Sequence, residues 1–361
     1  MKVIRSTKCS TKFANQKKLN DLHIILSEYA NVVNFFIEYF WGKEKVDKGK
    51  LLKPIVDLPI ETTWLSARLR KVAAREAIDM ILAVRERWKK KPEKIQKPLH
   101  RGDRMCCSST IAELQESESS FDCFLRITSV GNKMKLELPI KKHKHFNKWE
   151  SQGKRLNSYI ITKDYIQFVF EIETGEKKKE GKTLGIDTGI KCLATTSEGQ
   201  RIGEEIESII ESIKRCRQNS KRQKRLRKYL KHYINSCAIQ VFEQNPRLCR
   251  VVVERLKNMN LKTKENKKLS KNIRKSIGNW NYRYWLDRLQ RECETRRSRF
   301  TSCAPVNTSI TCNSCGHTDR TNRSKQELFC CVKCGHTAHA DHNAAKNILD
   351  RGVSLVYRRG K

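Results

Sequence analysis

Two Cys-x-x-Cys pairs near the C-terminus, Cys312/Cys315 and Cys331/Cys334, constrain this chain more than any other feature. Each pair is followed by a glycine, Gly316 and Gly335. A two-residue gap ending on glycine makes a tight turn that brings both thiolates to one ion, and two such turns complete a closed tetrahedral site of the structural zinc kind. Cys330 competes with Cys331, but only Cys331 keeps the two-residue gap to Cys334. Zn2+ is therefore expected on Cys312, Cys315, Cys331 and Cys334. His317, His336 and His339 lie close by; with four thiolates available they read as surface or nucleic-acid-facing side chains. The other cysteines are scattered, and Cys106 and Cys107 are adjacent, so they read as reduced thiols rather than a disulfide scaffold.

Charge narrows the partner. Lys and Arg number 76 against 39 acids, a formal charge of +37. Self-repulsion on that scale calls for a polyanion, and nucleic acid is the one that fits. A membrane surface is the rival acidic partner, but no apolar run of spanning length and no secretory signal is legible, so the expected location is cytoplasmic, on the nucleoid. Residues 213–232 carry ten Lys or Arg and no acid, and residues 262–275 form a second basic segment. Both are expected to contact nucleic acid.

Along the chain, residues 2–7 predict a first strand. Residues 14–41 carry apolar side chains at helical spacing, from Leu19 to Phe36, and a second stripe runs from Leu65 to Val84 with Thr62 or Thr63 as its cap. Residues 89–97, with Pro92, read as a linker. The period then changes to two: 124–129, 133–138, 157–162 and 165–173 predict strands of a small β-domain, with a barrel as the expected form. A charged linker, 175–182, follows. After it come apolar strands at 184–186 and 190–196, a helix at 202–213, a strand at 250–253, and a helix at 280–297 packing through Tyr284, Leu286 and Leu289.

Two of those strands run into acids, Asp187 and Glu254, and a third acid, Asp341, opens a helix in Ala340-Asp341-His342-Asn343-Ala344-Ala345. A lone acid after a strand is usually a turn residue. Three in the order Asp, Glu, Asp are more specific: in an RNase H-like fold they converge and hold two Mg2+ ions about 4 Å apart, one activating water and one stabilising the leaving oxygen of a phosphodiester.

At these residues the chain resembles a known family. Residues 185–199, 251–260 and 308–349 are similar to the three RuvC motifs and the zinc ribbon of TnpB proteins, the transposon-encoded RNA-guided nucleases related to compact type V CRISPR effectors. The most specific stretch holds Thr308-Ser309, Cys312-Asn313-Ser314-Cys315-Gly316, Asn322-Arg323, Cys331, Cys334-Gly335, Ala340-Asp341 and Asn343-Ala344-Ala345. The N-terminal half matches in outline only. The resemblance implies a multidomain α+β protein: a wedge-like β-barrel from 1–13 and 100–180, a helical recognition domain at 14–99, and an RNase H-like (RuvC) α/β nuclease domain at 181–361 with the zinc ribbon at about 308–338. It implies an RNA-guided DNA endonuclease that binds a guide RNA, reads a short motif beside a double-stranded target and cuts at a two-metal site. Asp187, Glu254 and Asp341 take the catalytic positions, with Mg2+, and Arg323 matches a basic residue beside the scissile phosphate. His342 departs from the small or apolar residue usual there. Within the family a compact CRISPR effector with a separate guide and a nuclease-inactive repressor are the alternatives, and monomer and homodimer both occur. A strand-transferring transposase normally carries its acids in the order Asp, Asp, Glu.

Overall fold

The computed structural model describes residues 2–89, 92–256 and 270–357. The chain divides into two compact units, Met1–Glu173 and Thr174–Lys361. No helix among the described residues is long and apolar enough to cross a membrane.

In the first unit, β1 (Lys2–Ser10) leads into α1 (Gln16–Trp41), capped by the Asn15 side chain, which accepts from the Lys18 amide. The stripe Leu22, Ile25, Leu26, Tyr29, Val32, Val33, Phe36 and Phe40 is buried, as three- and four-residue spacing requires of a core-facing helix. After the short α2 (Lys53–Val56), α3 (Ala67–Arg87) packs along α1 through Leu69, Ala73, Ala77 and Ile81. The cap of α3 is Ser66, not Thr62 or Thr63: its hydroxyl accepts from the Leu69 amide. Thr63 is instead tied up with Glu28, which accepts its hydroxyl at 2.5 Å.

The strands form two antiparallel sheets. One has the order β1-β7-β6-β2, with β2 at Arg104–Ser108, β6 at Gly153–Thr162 and β7 at Tyr165–Glu173. The other is β3-β4-β5, with β3 at Ala112–Glu116, β4 at Cys123–Ile127 and β5 at Leu136–Ile140. α4 (Lys144–Gln152) precedes β6. The anticipated barrel does not close. The chain turns right after β2, with Ile111 N bonded to Ser108 O, so β3 leaves the first sheet and pairs with β4. Each sheet buries alternate residues, Cys123, Leu125 and Ile127 on β4 and Ile166, Phe168, Phe170 and Ile172 on β7. One core can therefore be filled between open sheets and helices without closure. Inside it, Glu76 accepts from Tyr29 Oη (2.8 Å) and Arg104 Nε (2.9 Å).

The second unit is built on a five-stranded sheet of order β10-β9-β8-β11-β12. These strands are β8 (Lys182–Asp187), β9 (Ala194–Thr196), β10 (Arg201–Ile202), β11 (Leu248–Glu254) and β12 (Arg299–Cys303). β8, β11 and β12 are parallel, β9 is antiparallel to β8, and β10 is antiparallel to β9. Leu184, Ile186, Val251 and Val253 face α5 (Ile206–Lys214), α6 (Lys221–Glu243) and α8 (Tyr282–Thr295). Val252 on the opposite face packs with Cys303 and with Ile348 of α9 (Ala340–Tyr357). Cover on both faces explains why the parallel strands read as unbroken apolar runs. The strand expected at 190–196 is only Ala194–Thr196, because Gly189 N bonds to Cys192 O and turns the chain first. On α8, Tyr282, Trp285, Leu289 and Cys293 are the buried stripe, and Tyr284 and Leu286 flank it. Of the basic segment 262–275, residues up to 269 lie outside the described ones, and α7 (Lys271–Asn279) begins after its cap Ser270.

Candidate active site

Register brings the first two acids together. Val253 of β11 lies opposite Ile186 of β8 in the parallel ladder. Glu254 and Asp187 are each one step further on, at the same end of neighbouring strands about 4.8 Å apart, with side chains on the same face.

The third acid arrives on a helix. Asp187 shares its face of β8 with Gly185, two residues earlier, and Gly185 abuts the backbone of Ala345 and Leu349 on α9. Asp341 precedes Ala345 by four residues, about one helical turn or 6 Å. The strand step from Gly185 to Asp187 is close to the same length. With α9 running antiparallel to β8, Asp341 lands over Asp187. It also sits in the first turn of α9, where the helix dipole favours a carboxylate.

The charges are felt. Burial, and then the neighbouring carboxylates of Glu254 and Asp341, push the Asp187 carboxyl up to about 7 against the opposing pull of Arg323. Burial also raises Glu254, although Thr308 donates its hydroxyl to Oε1. Arg323 Nη2 donates to Asp341 Oδ1 at 3.2 Å. Carboxylates brought this close repel one another, and a bound cation would relieve that repulsion. Their oxygens are not gathered tightly around one point, unlike the cysteines below. His342 bonds Ser197 O through Nε2 and touches none of the three.

The four predicted cysteines form the one group among the described residues whose metal-ligand atoms all lie within 4.8 Å of one another. Cys312 and Cys334 have their sulfurs 3.7 Å apart, and Cys315 and Cys331 3.6 Å. These are far beyond a disulfide bond and close to the roughly 3.8 Å edge of a tetrahedron with 2.3 Å metal–sulfur bonds. The two turns repeat one pattern: Cys312 N to His317 O and Gly316 N to Cys312 O, then Cys331 N to His336 O and Gly335 N to Cys331 O. Gly316 and Gly335 sit at φ 75° and 71°, the left-handed region glycine tolerates without cost. Cys330 is exposed and turned away on β13 (Leu328–Cys330), which pairs with β14 (Thr337–His339). His336 bonds Asn313 and His339 bonds Arg201, so both are occupied within the chain.

Thr308, Asn322 and Asn343 stand in the motif quoted above but carry no assigned role there, and Asn347 is not singled out; together they fasten this module to the acids. Asn322, fully buried, donates to Ile310 O at 2.9 Å and accepts from Val332 N, tying the two turns together. Asn343 and Asn347, one helical turn apart and buried, donate to Thr311 O and to Thr308 O. Thr308 in turn holds Glu254. Two asparagines at helical spacing in an otherwise apolar face were the available signal.

Comparison with known proteins covers the segment that holds the four cysteines and Asp341. Residues 282–348 match the Cas12f1-like TNB domain family. TnpB-like protein L79 of Acanthamoeba polyphaga mimivirus is 26% identical over 224 residues, 55% of this chain and 43% of the viral protein. The chain is a relative of the TnpB-like proteins. A putative RNA-guided DNA endonuclease, InsQ of Escherichia coli (strain K12), is 25% identical over 207 residues, 48% of this chain and 50% of InsQ. The matches thus span half or less of each relative's length. In fold, the chain is similar to a chain of the cryo-EM Cas12f1–sgRNA–target DNA complex, with a TM-score of 0.61 at 14% identity, covering 92% of this chain and 83% of that one. At that identity the likeness is one of fold.

Proposed function

We propose that the protein is an RNA-guided DNA endonuclease of the TnpB type. The observation that carries this reading is the convergence of Asp187, Glu254 and Asp341 at one end of the β8–β11 pair, fastened by Thr308 to a four-cysteine module. A sheet of order β10-β9-β8-β11-β12, with acids at the ends of its adjacent strands β8 and β11 and on a covering helix, supports an RNase H-like reading. In that reading Asp187, Glu254 and Asp341 would hold Mg2+, which when bound would activate a water molecule and offset charge on the leaving oxygen. The chain's own part is to place the acids, exclude alternative geometries, and keep Arg323 beside Asp341, where it meets the phosphate to be cut. Cys312, Cys315, Cys331 and Cys334 hold Zn2+ as a structural ion. A guide RNA supplies sequence specificity by pairing, while the basic surfaces hold its backbone and that of the DNA. InsQ's description and the presence of guide RNA and target DNA in the Cas12f1 complex support this reading.

The test is to purify the protein from cells carrying its native flanking DNA and sequence the RNA that accompanies it. One abundant RNA with a variable end, programming Mg2+-dependent cutting of a matching DNA, is the expected result. A protein free of specific RNA and inert on DNA would overturn it.

A further inference from the structure

The first turn of α9 carries a second polar side chain beside Asp341. Successive residues on a helix point about 100° apart, so His342 is turned away from the acids, toward the loop after β9. Its Nε2 lies 3.1 Å from the Ser197 carbonyl oxygen. A carbonyl only accepts, so Nε2 carries the proton and donates. The ring lies over Gly199, where a Cβ would stand 3.7 Å from Cε1 and 3.8 Å from Nε2.

The acceptor is itself fixed. Ser197 is buried and directly follows β9. Its amide donates to Gly185 O at 2.9 Å, and its hydroxyl accepts from the Gly185 amide at 3.2 Å. The Gly199 amide donates to Thr196 O and the Gln200 amide to Thr196 Oγ1, which closes the turn under the ring. Gly185 stands two residues before Asp187 on β8. His342 is thus joined through one residue to the strand that presents Asp187.

Other contacts hold the same end of α9 in different ways. The close approach of Gly185 to Ala345 and Leu349 sets how near the helix sits to β8; its rotation about its own axis is left to the side chains around it. Asn343 and Asn347 pull toward the cysteine module through Thr311 O and Thr308 O. His342 supplies the tie on the sheet side. Side chains reach about 5–6 Å from a helix axis, so a rotation of about 10° moves the Asp341 carboxylate by about 1 Å, and a displacement of that size costs on the order of 100-fold in rate.

We infer that His342 is a positioning residue: its bond to Ser197 O fixes the rotation of α9 and so the place of the Asp341 carboxylate opposite Asp187. This rests on the nuclease reading above. Because His342 acts through Ser197 and touches none of the three acids, its effect falls on the rate of cutting and not on the binding of DNA.

The test follows single-turnover cutting of a matching DNA while the concentration of the purified protein–RNA complex is varied in Mg2+. His342→Ala is expected to lower the rate at saturating complex about 10- to 100-fold and to leave the half-saturating concentration unchanged. His342→Gln, whose side-chain amide reaches about as far as Nε2, is expected to recover most of that rate. His342→Asn, one methylene shorter, is expected to stay near His342→Ala. The two amides differ only in reach, so a gap between them separates positioning from a general loss of polarity or fold. Independently of cutting, Mg2+ is expected to raise the Tm of the native and His342→Gln proteins more than that of the other two. Equal rates and equal Mg2+ shifts in all four proteins, His342→Gln no better than His342→Asn, or a loss confined to the half-saturating concentration would overturn the positioning role and leave the nuclease standing. A native complex that cuts nothing would overturn both.

Discussion

Gly185 lies directly beneath Ala345: a Cβ on Gly185 would come within 2.2 Å of the Ala345 carbonyl oxygen and 2.7 Å of the Leu349 amide. The approach is backbone to backbone, so no rotamer change relieves it. Gly185→Ala is therefore expected to push α9 off β8 and carry Asp341 away from Asp187. A displacement of about 1 Å costs on the order of 100-fold in rate, and overpacking costs about 1–3 kcal/mol of stability. Single-turnover DNA cutting and urea unfolding, compared with Gly278→Ala on an open stretch of α7, check this; an active, stable Gly185→Ala protein would refute the packing argument.

The raised Asp187 carboxyl makes stability depend on pH in a defined direction. With a folded pKa of about 7 against an ordinary 3.8, the folded state binds more protons than the unfolded one between those values. Metal-free protein is thus expected to lose stability as pH rises from 4 to 7 through this group, by at most about 4 kcal/mol. Asp187→Asn should remove that dependence and raise the metal-free Tm at pH 8, and Mg2+ should raise the Tm of the native protein but much less that of the variant. Differential scanning fluorimetry with and without EDTA measures all three.

Neighbouring cysteines are expected to behave oppositely. Cys331→Ser breaks the four-sulfur group, so bound zinc measured by elemental analysis should fall from one ion to well below one, and the module around Phe329 should lose protection from hydrogen exchange. Cys330→Ser, at an exposed sulfur outside the group, should leave zinc content and exchange unchanged. Equal loss in both would assign the ligands differently.

In the first unit, Glu76 is the acid whose ionised form is held. Burial alone would raise it, but His100, with Nε2 3.6 Å away, and hydrogen bonds from Tyr29 and Arg104 outweigh burial and bring it down to about 2 from 4.5. Its stabilisation is present above pH 4.5 and is lost as pH falls toward 2. It amounts to roughly 3 kcal/mol. Glu76→Gln should therefore unfold at lower denaturant at pH 7 and differ little from the native protein near pH 2, a comparison that circular dichroism melts can make. A constant deficit at both pH values would point to packing instead.

The outer face of α6 offers a last test. Arg225 and Lys228 are exposed, and no carboxylate pairs with either among the described residues. If this face meets phosphates, Arg225→Ala with Lys228→Ala should weaken RNA binding and reduce the slope of log K against log salt by about 0.7 for each phosphate no longer neutralised. An unchanged slope would remove α6 from the interface.

Much of the second unit was legible because its signals are local. The metal turns depend on spacing and glycine alone, and Cys331 over Cys330 followed from counting two residues. The apolar runs ending in Asp187 and Glu254 were readable because parallel strands covered on both faces tolerate no polar interruption. The first unit was less legible. β2, with sequence Arg-Met-Cys-Cys-Ser, alternates in burial but not in residue type, so periodicity did not mark it. Ser66, Thr62 and Thr63 are equivalent as caps, and the choice fell to Glu28, a residue on another helix. Whether strands close into a barrel is set by which edges pair across long loops, and single-sequence patterns carry no such information.

The sequence by itself singled out the four clustered cysteines, the three acids and the faces of the main helices, since each follows from residue type and short spacing. Only the tertiary structure decided that the acids meet. Asp187 and Asp341 are brought together by the absence of a side chain at Gly185 and by the turn-long spacing from Asp341 to Ala345, and Glu254 by parallel register and the Thr308–Asn347 tie. The bond from His342 to Ser197 likewise joins segments far apart in the chain. Chain folding alone sets such distances, because the free energy that fixes them is the packing of whole elements rather than the preference of any one residue.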